Sequence, residues 1–391
     1  MIPNTGIMEK LRIGVIGFGN MGRHHVDYLS KNQVEGTQIT AVADTSPAAL
    51  ASVLEQYPHL HCYPTAEAMF ASGDVDAVIV ATPHYSHPPQ AIAALNANIH
   101  VLIEKPAGAY TQQVLEMNEV ARHSDRVFGI MFQQRTIRAH QKMRELVQSG
   151  ELGEIKRTHY VITDWFRTQA YYNSGGWRAT WAGEGGGVLL NQCPHNLDLW
   201  QWICGMPVRV RAFCGFGKYH DIEVEDDVTA YVQYANGSTG VFVTSTGESP
   251  GTKSFEIVGD RGKLVLENDK LTFWRTAESV TKFLQENPNS FDSPELWTCD
   301  IPVHGGGDHI EITRNWVGAI ANGTKLLAPG IEGINGLEIA NAMLLSAWTD
   351  QWVDLPLDAA QYHEHLKQRV ANSTVVKQEV EHKMSDLAKS F

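Results

Sequence analysis

Apolar and polar positions follow two different regimes along the 391 residues. Between residues 11 and 132, short uninterrupted apolar runs lie at 11–17, 38–43, 76–82, 99–103 and 126–132. They are separated by stretches with helical spacing, such as Pro89 to Asn96 and Thr111 to His123. A run as apolar as Ala77-Val78-Ile79-Val80-Ala81 suits a strand covered on both faces, and strand–helix alternation predicts a parallel, doubly wound sheet. After about residue 133 the period shortens. A helix from Arg138 to Ser149 ends at Gly150, and strand-type alternation follows at 154–166, 207–217, 226–235, 238–247, 253–259 and 262–267. Asn236-Gly237 predicts a hairpin turn, and successive strands on short turns predict a mostly antiparallel sheet. One helix is expected to fill 187–204 and another Gly336 to Asp350. The polar tail from about 360, with Leu366, Val370, Val376, Val380 and Leu387 as sparse apolar positions, fits a peripheral helix or an arm on a neighbouring subunit. The expected class is therefore α/β, with domains 1–132 and 133–391 and C-terminal helices able to pack back on the first. There is no internal repeat and no low-complexity segment.

Composition narrows the partners. Hydrophobic content of 43% and charged content of 19% are those of a globular chain with a large core. A formal net charge of −13 argues against nucleic acid and against an anionic membrane surface, but would not repel a neutral sugar. Five scattered cysteines (Cys62, Cys193, Cys204, Cys214, Cys299) contain no CxxC pair and suggest a reduced, cytoplasmic chain. Met1 to Glu9 lacks the basic and apolar regions of a secretory signal, and no apolar run is long enough to predict a membrane span. Seventeen histidines show no HExxH or comparable spacing, so no metal is expected.

The chemistry-bearing motifs sit where strands end. The first strand runs into Gly17-Phe18-Gly19-Asn20-Met21-Gly22. Gly17 permits a tight turn, Gly19 a close approach of the backbone to a pyrophosphate, and Gly22 close packing of the next helix, whose N–H groups face the phosphates. The second strand ends in Asp44, an acid placed to accept from the hydroxyls of an adenosine ribose. Thr82-Pro83-His84-Tyr85-Ser86-His87 follows the strand 76–82; its histidines either meet a ligand off the sheet or are merely solvated. Glu104-Lys105-Pro106 follows the strand 99–103; Lys105 is either a surface lysine or an ammonium able to hold a substrate hydroxyl or move its proton. Gly185-Gly186-Gly187 precedes a helix on which Asn191 and His195, four apart, would share a face. His195 suits proton transfer with an alcohol or fills the core, and Asp198 could orient it or cap a neighbouring element.

Together these clusters resemble the Gfo/Idh/MocA family of oxidoreductases, named for glucose–fructose oxidoreductase and inositol dehydrogenase. GFGNMG, Ala81-Thr82-Pro83 with His87, Glu104-Lys105-Pro106 and GGGxLL with His195 occur in the family's order across nearly the whole chain. The resemblance implies a Rossmann domain followed by an α+β domain on a large open antiparallel sheet, through which such proteins form homodimers or homotetramers. It implies hydride transfer between a nicotinamide and a sugar, cyclitol or related carbohydrate. Lys105 and His195 match the family's catalytic lysine and histidine. The family's aspartate falls on Asn191, a departure, since an amide cannot stabilise an imidazolium as a carboxylate would. His84 stands where an asparagine is usual, which alters the expected contact to the nicotinamide.

Between these motifs lie Asp164-Trp165-Phe166-Arg167, Tyr171-Tyr172, Trp177-Arg178 and Trp181. An indole can stack on the C–H face of a sugar while arginine reaches its hydroxyls, so Trp165, Arg167, Trp177 and Arg178 join Lys105, Asn191 and His195 as expected substrate contacts. Tyr219, His220 and His309 are weaker candidates. Asp44, with no arginine in Thr45-Ser46-Pro47, favours NAD over NADP. The expected function is an NAD-dependent dehydrogenase acting on a secondary hydroxyl of a sugar, glycoside or cyclitol. Its rivals are a glycosidase or epimerase that oxidises its sugar transiently, and a non-catalytic dinucleotide-binding sensor or co-repressor.

Overall fold

A computed structural model describes residues 10–375. The first six strands, β1 (Leu11–Ile16), β2 (Thr37–Ala43), β3 (His61–Tyr63), β4 (Ala77–Val80), β5 (His100–Ile103) and β6 (Phe128–Ile130), form one parallel sheet in the order β3-β2-β1-β4-β5-β6. The reversal of direction from β1 opens a crevice at the strands' carboxyl ends, where ligands of such sheets bind. Ala77, Val78, Ile79 and Val80 are all fully buried, as expected for a strand with helices on both faces. The edge strand β3 was not predicted. It has three residues, none fully buried, and carries no apolar signal of its own.

The other strands are β7 (Ile155–Ile162), β8 (Arg209–Phe216), β9 (Glu225–Gln233), β10 (Thr239–Ser245), β11 (Lys253–Gly259), β12 (Gly262–Glu267), β13 (Lys270–Thr276), β14 (Leu296–Ile301) and β15 (Val353–Asp354). They build a nine-stranded sheet in the order β14-β13-β12-β11-β7-β10-β9-β8-β15, antiparallel except where β7 meets β10. Two meanders, β8–β10 and β11–β14, are thus joined through β7. Asn236-Gly237 does close the β9–β10 hairpin, with Gly237 at φ +84° and Tyr234 accepting its N–H. β13, β14 and β15 went unpredicted. β13 had a legible signal, since Asn268 and Asp269 both take positive φ between Glu267 and Lys270. β14 had none, because five of its six residues are exposed.

The helix Pro194–Cys204 covers one face of the large sheet. Trp200 stacks on Phe242 at 5.5 Å, and its indole N–H donates to Thr158 Oγ1 at 3.0 Å. The expected single helix over 187–204 is instead two, Val188–Asn191 and Pro194–Cys204. Pro194 has no N–H to continue the ladder, so it starts a new helix. The C-terminal helices pack back on the first sheet. Thr111 donates through both N–H and Oγ1 to the buried Asn341 Oδ1, and Ile130 N–H donates to Ala328 O. The polar tail forms the helix Ala359–Asn372 on its own chain, burying Tyr362 and Leu366 and stacking His363 on Tyr110. Val376, Val380 and Leu387 lie outside the described residues, as do Met1 to Glu9.

Candidate active site

The Gly-rich turn forms one wall of the crevice. Gly17 takes φ +90°, and a side chain on Gly22 would overlap the Gly17 carbonyl oxygen. A Cβ on Gly19 would meet no atom within 4 Å. Gly19 opens the helix Asn20–Ser30, which has no side-chain cap and no acid in its first turn, so Asn20 and Met21 begin a helix with uncompensated N–H groups. Such an open cradle before bare donors fits a pyrophosphate. Asp44 accepts from Phe18 N–H at 2.7 Å and from Ser46 N–H at 2.8 Å. Each oxygen keeps a lone pair, which is what the ribose hydroxyls of a dinucleotide would need. Phe18 itself is buried, with the Arg23 guanidinium over its ring at 4.4 Å.

The loops after β4 and β5 are tied together. His87 is 1% exposed, with Nδ1 2.8 Å from Pro106 O and Nε2 2.6 Å from Thr82 O. Burial lowers the His87 pKa and favours the neutral ring, whose single N–H donates to one of these carbonyls; both nitrogens are covered by the two loops, so neither is left for a dinucleotide. Thr82 Oγ1 donates to Gln90 Oε1 at 2.7 Å, and Pro83 leads into a short turn of 3₁₀ helix. His84 is buried, its Nδ1 donates to Glu184 O at 3.1 Å, and the Trp177 ring meets it edge-on at 5.6 Å. Neither histidine is simply solvated. Glu104 faces inward to His25 Nε2 at 2.8 Å; His25 Nδ1 meets Tyr28 Oη, which meets Thr313 Oγ1, both at 2.8 Å. Burial pushes the Glu104 carboxyl up, but the bond from His25 and the nearby Lys105 ammonium outweigh it and hold the pKa at about 2. Its carboxylate is therefore committed to the protein interior, anchoring the turn that projects Lys105.

Lys105 Nζ donates to the backbone carbonyl of Asn191 at 3.1 Å. Loss of solvent lowers its pKa, partly offset by Glu104. His195 is 3% exposed, and neither ring nitrogen has a hydrogen-bond partner. Burial drives its pKa well below the ordinary value, and the nearby Lys105 ammonium lowers it further. The imidazole is thus neutral at physiological pH, with a free lone pair and a free N–H beside an ammonium. An arrangement of this kind can hold an alcohol oxygen and take its proton. Around it, Arg178 donates to Tyr171 Oη at 2.8 Å and lies over the Tyr171 and Trp177 rings at 4.6 and 4.8 Å. Arg167 lies over Trp165 and Tyr171 at 5.5 and 5.1 Å. The Trp165 indole N–H donates to Asn196 Oδ1 at 3.2 Å. His220, bonded to the buried Asp226, meets the Arg167 carbonyl at 2.9 Å and so fixes that loop.

Several expectations need correction. Asn191 and His195 do not share one helix face, because the helix is interrupted between them at Gln192-Cys193; Lys105 is the neighbour of both. Asp198 does not orient His195. It forms a buried bidentate pair with Arg135 at 2.6 and 2.8 Å and accepts from Gln201. Trp181 is 4% exposed against Trp348, and Tyr172 is buried with its hydroxyl on Thr246, so both belong to the core. Tyr219 is 45% exposed and has Lys218 over its ring. His309 lies nearer the site than its motif suggested. It is buried edge-on to His24 at 5.1 Å, with a pKa lowered to about 4 by burial. Glu184 was missed altogether. This buried carboxylate accepts from Asn191 Nδ2 and from Ala179 N–H, and its only signal was an acid directly before three glycines.

Known proteins share this plan. Residues 11–132 match the model of an oxidoreductase family with an NAD-binding Rossmann fold, and residues 140–265 match the GFO/IDH/MocA C-terminal domain. Inositol 2-dehydrogenase of Corynebacterium glutamicum is 32% identical over 201 residues, 51% of this chain and 56% of that protein. The chain thus matches little more than half the length of that relative. D-glucoside 3-dehydrogenase of Escherichia coli is 30% identical over 250 residues, 59% of this chain and 68% of that protein. The WlbA dehydrogenase from Chromobacterium violaceum, solved in complex with NADH and UDP-GlcNAcA, is similar with a TM-score of 0.77. The likeness has 27% identity and covers 90% of this chain and 97% of that one.

Proposed function

The chain belongs to the Gfo/Idh/MocA family of oxidoreductases, and from that premise we propose an NAD-dependent dehydrogenase acting on a secondary hydroxyl of a sugar, glycoside or cyclitol. The observation that carries this reading is His195, buried with two unpartnered ring nitrogens beside Lys105. Gly17 to Gly22 and Asp44 would hold the dinucleotide, with the loops of Thr82 and Lys105 bordering its nicotinamide. When bound, that group supplies the hydride acceptor or donor at C4. Neutral His195 takes the hydroxyl proton as the substrate carbon is oxidised and returns it in the reverse direction. Lys105 donates a hydrogen bond to the same oxygen. Trp165, Trp177, Arg167 and Arg178 orient the ring, since transfer needs reacting atoms within about 3.5 Å. Asp44 favours NAD because a carboxylate repels a 2′-phosphate. Subunits pairing through the large sheet would cover exposed side chains such as Phe213 and Tyr231.

An absorbance screen of free sugars, inositols and glycosides with NAD, repeated with NADP, tests the proposal. The expected result is NADH formation with at least one of them, faster with NAD. Aglycone release without NADH accumulation would instead favour transient oxidation. Silence across the panel with tight NADH binding would favour a sensor. Retention of both Lys105 and His195 speaks for turnover.

A further inference from the structure

A hydrogen-bonded chain runs from Arg178 to Glu184 beside Lys105. Arg178 Nη1 donates to Tyr171 Oη at 2.8 Å, Tyr171 Oη donates to Asn191 Oδ1 at 2.9 Å, and Asn191 Nδ2 donates to Glu184 Oε1. Gln192 Nε2 also donates to Asn191 Oδ1, at 3.0 Å. The guanidinium can only donate, so Tyr171 Oη, having accepted from it, gives its own proton to Asn191 Oδ1 and leaves Asn191 Nδ2 to face Glu184, whose carboxyl pKa is raised by burial against the opposing pull of Arg178. Glu184 is 2% exposed, and its second oxygen accepts from Ala179 N–H at 2.6 Å. The charged groups facing it are Arg178, Lys105 and Glu225.

We propose that Glu184 is a positioning residue that locks the amide of Asn191 with its carbonyl toward Tyr171, so that its second N–H is presented to the substrate oxygen as a donor. That N–H has no protein acceptor among the described residues. The identity of the ligand rests on the dehydrogenase reading above. The chemistry favours a donor here. A hydroxyl, an alkoxide and the product carbonyl all accept, so one N–H stays bonded through the reaction. Lys105 is bonded separately to the backbone carbonyl of Asn191.

Three variants separate this role from simple packing. Glu184→Gln leaves the Asn191 amide free to turn over, and kcat/KM falls about tenfold or more. Asn191→Asp sets a carboxylate against Glu184. Its Tm deficit relative to wild type grows from about pH 5 to pH 8, because the raised carboxyl pKa destabilises the fold as pH rises. The double variant E184Q/N191D restores the contact, since a glutamine N–H donates to the new carboxylate, but it offers the substrate only acceptors. Its Tm returns to within about 3 °C of wild type while kcat/KM stays at least about tenfold down. Recovery of kcat/KM together with Tm, or wild-type kcat/KM in Glu184→Gln, overturns the proposal. If the wild type turns over nothing, the dehydrogenase reading fails by itself. The melting pattern then decides, and a pH-independent deficit in Asn191→Asp overturns the locked amide.

Discussion

Replacing Gly19 by alanine separates dinucleotide binding from folding. Gly19 has φ −74° and ψ −162°, a conformation open to alanine, and the new methyl would meet no atom within 4 Å. Reduced freedom of the unfolded chain contributes about 0.4–1 kcal/mol, and the poorer helix start costs a similar amount. The two offset, so Tm should move by no more than about 3 °C. Binding is different, because the methyl stands where a phosphate must come to reach the N–H groups of Asn20 and Met21. Losing two charge-assisted hydrogen bonds at about 1.5 kcal/mol each weakens NADH binding by about 100-fold. Calorimetric titration with NADH and a melting curve measure both. Gly22→Ala is the control with the opposite outcome. Its methyl would overlap the Gly17 carbonyl, a backbone atom that cannot swing aside, and the fold should lose about 3 kcal/mol. Gly19→Ala with wild-type affinity would show that no phosphate sits on this loop. Gly19→Ala that unfolds would show that the space is not open.

Other outcomes follow from the same geometry. Lys105→Ala should lower turnover about 100-fold or more while changing NADH affinity only a few-fold, read by steady-state kinetics beside titration. Asp44→Ser should raise the ratio of NADP to NAD use by about tenfold, measured as relative kcat/KM. Asp198→Ala leaves the Arg135 guanidinium buried without its bidentate partner and should cost about 3–5 kcal/mol in denaturant unfolding. Acid should destabilise the protein. Burial lowers His140 and His309 from 6.5 to about 4, so the unfolded chain takes up their protons first. Their contribution is whole above 6.5 and is lost as pH falls toward 4, up to about 3 kcal/mol each. Glu225 works in the opposite sense. Its carboxyl rises from 4.5 to about 7, so protonation on acidification favours the fold, as it does for the buried Glu184 and Asp198, while the buried His84, His87 and His195 side with His140 and His309. A Tm that stays flat from about pH 7 to pH 4.5 would refute this balance.

Much of the fold was legible because its signals are local. Buried strands such as Ala77–Val80 read as unbroken apolar runs, and the Gly17–Gly22 turn as a glycine pattern between strand and helix. The short or exposed strands β3, β14 and β15 were not legible, because edge pairing needs backbone groups and not apolar side chains. The site was legible in part. Lys105 and His195 were named from their motifs, and the structure sets the Lys105 charge near enough to His195 to lower its pKa. The role expected of Asp198 failed for a stated reason. Three residues on a helix can place a carboxylate near a histidine, but Arg135, 63 positions away in sequence, holds that carboxylate more strongly.

The sequence by itself determined the kinds of element, the dinucleotide turn and the lysine and histidine on which the proposed chemistry depends, because backbone freedom, hydrophobic period and side-chain chemistry are properties of short segments. Tertiary structure alone decided which polar groups are taken and which are left for a ligand. His87 and Glu104 are committed to the protein, His195 is left without a partner, and Glu184 sets the direction of Asn191. That allocation depends on hydrogen bonds between residues far apart in the chain, where burial makes every unpaired donor or acceptor costly, and no local pattern records it.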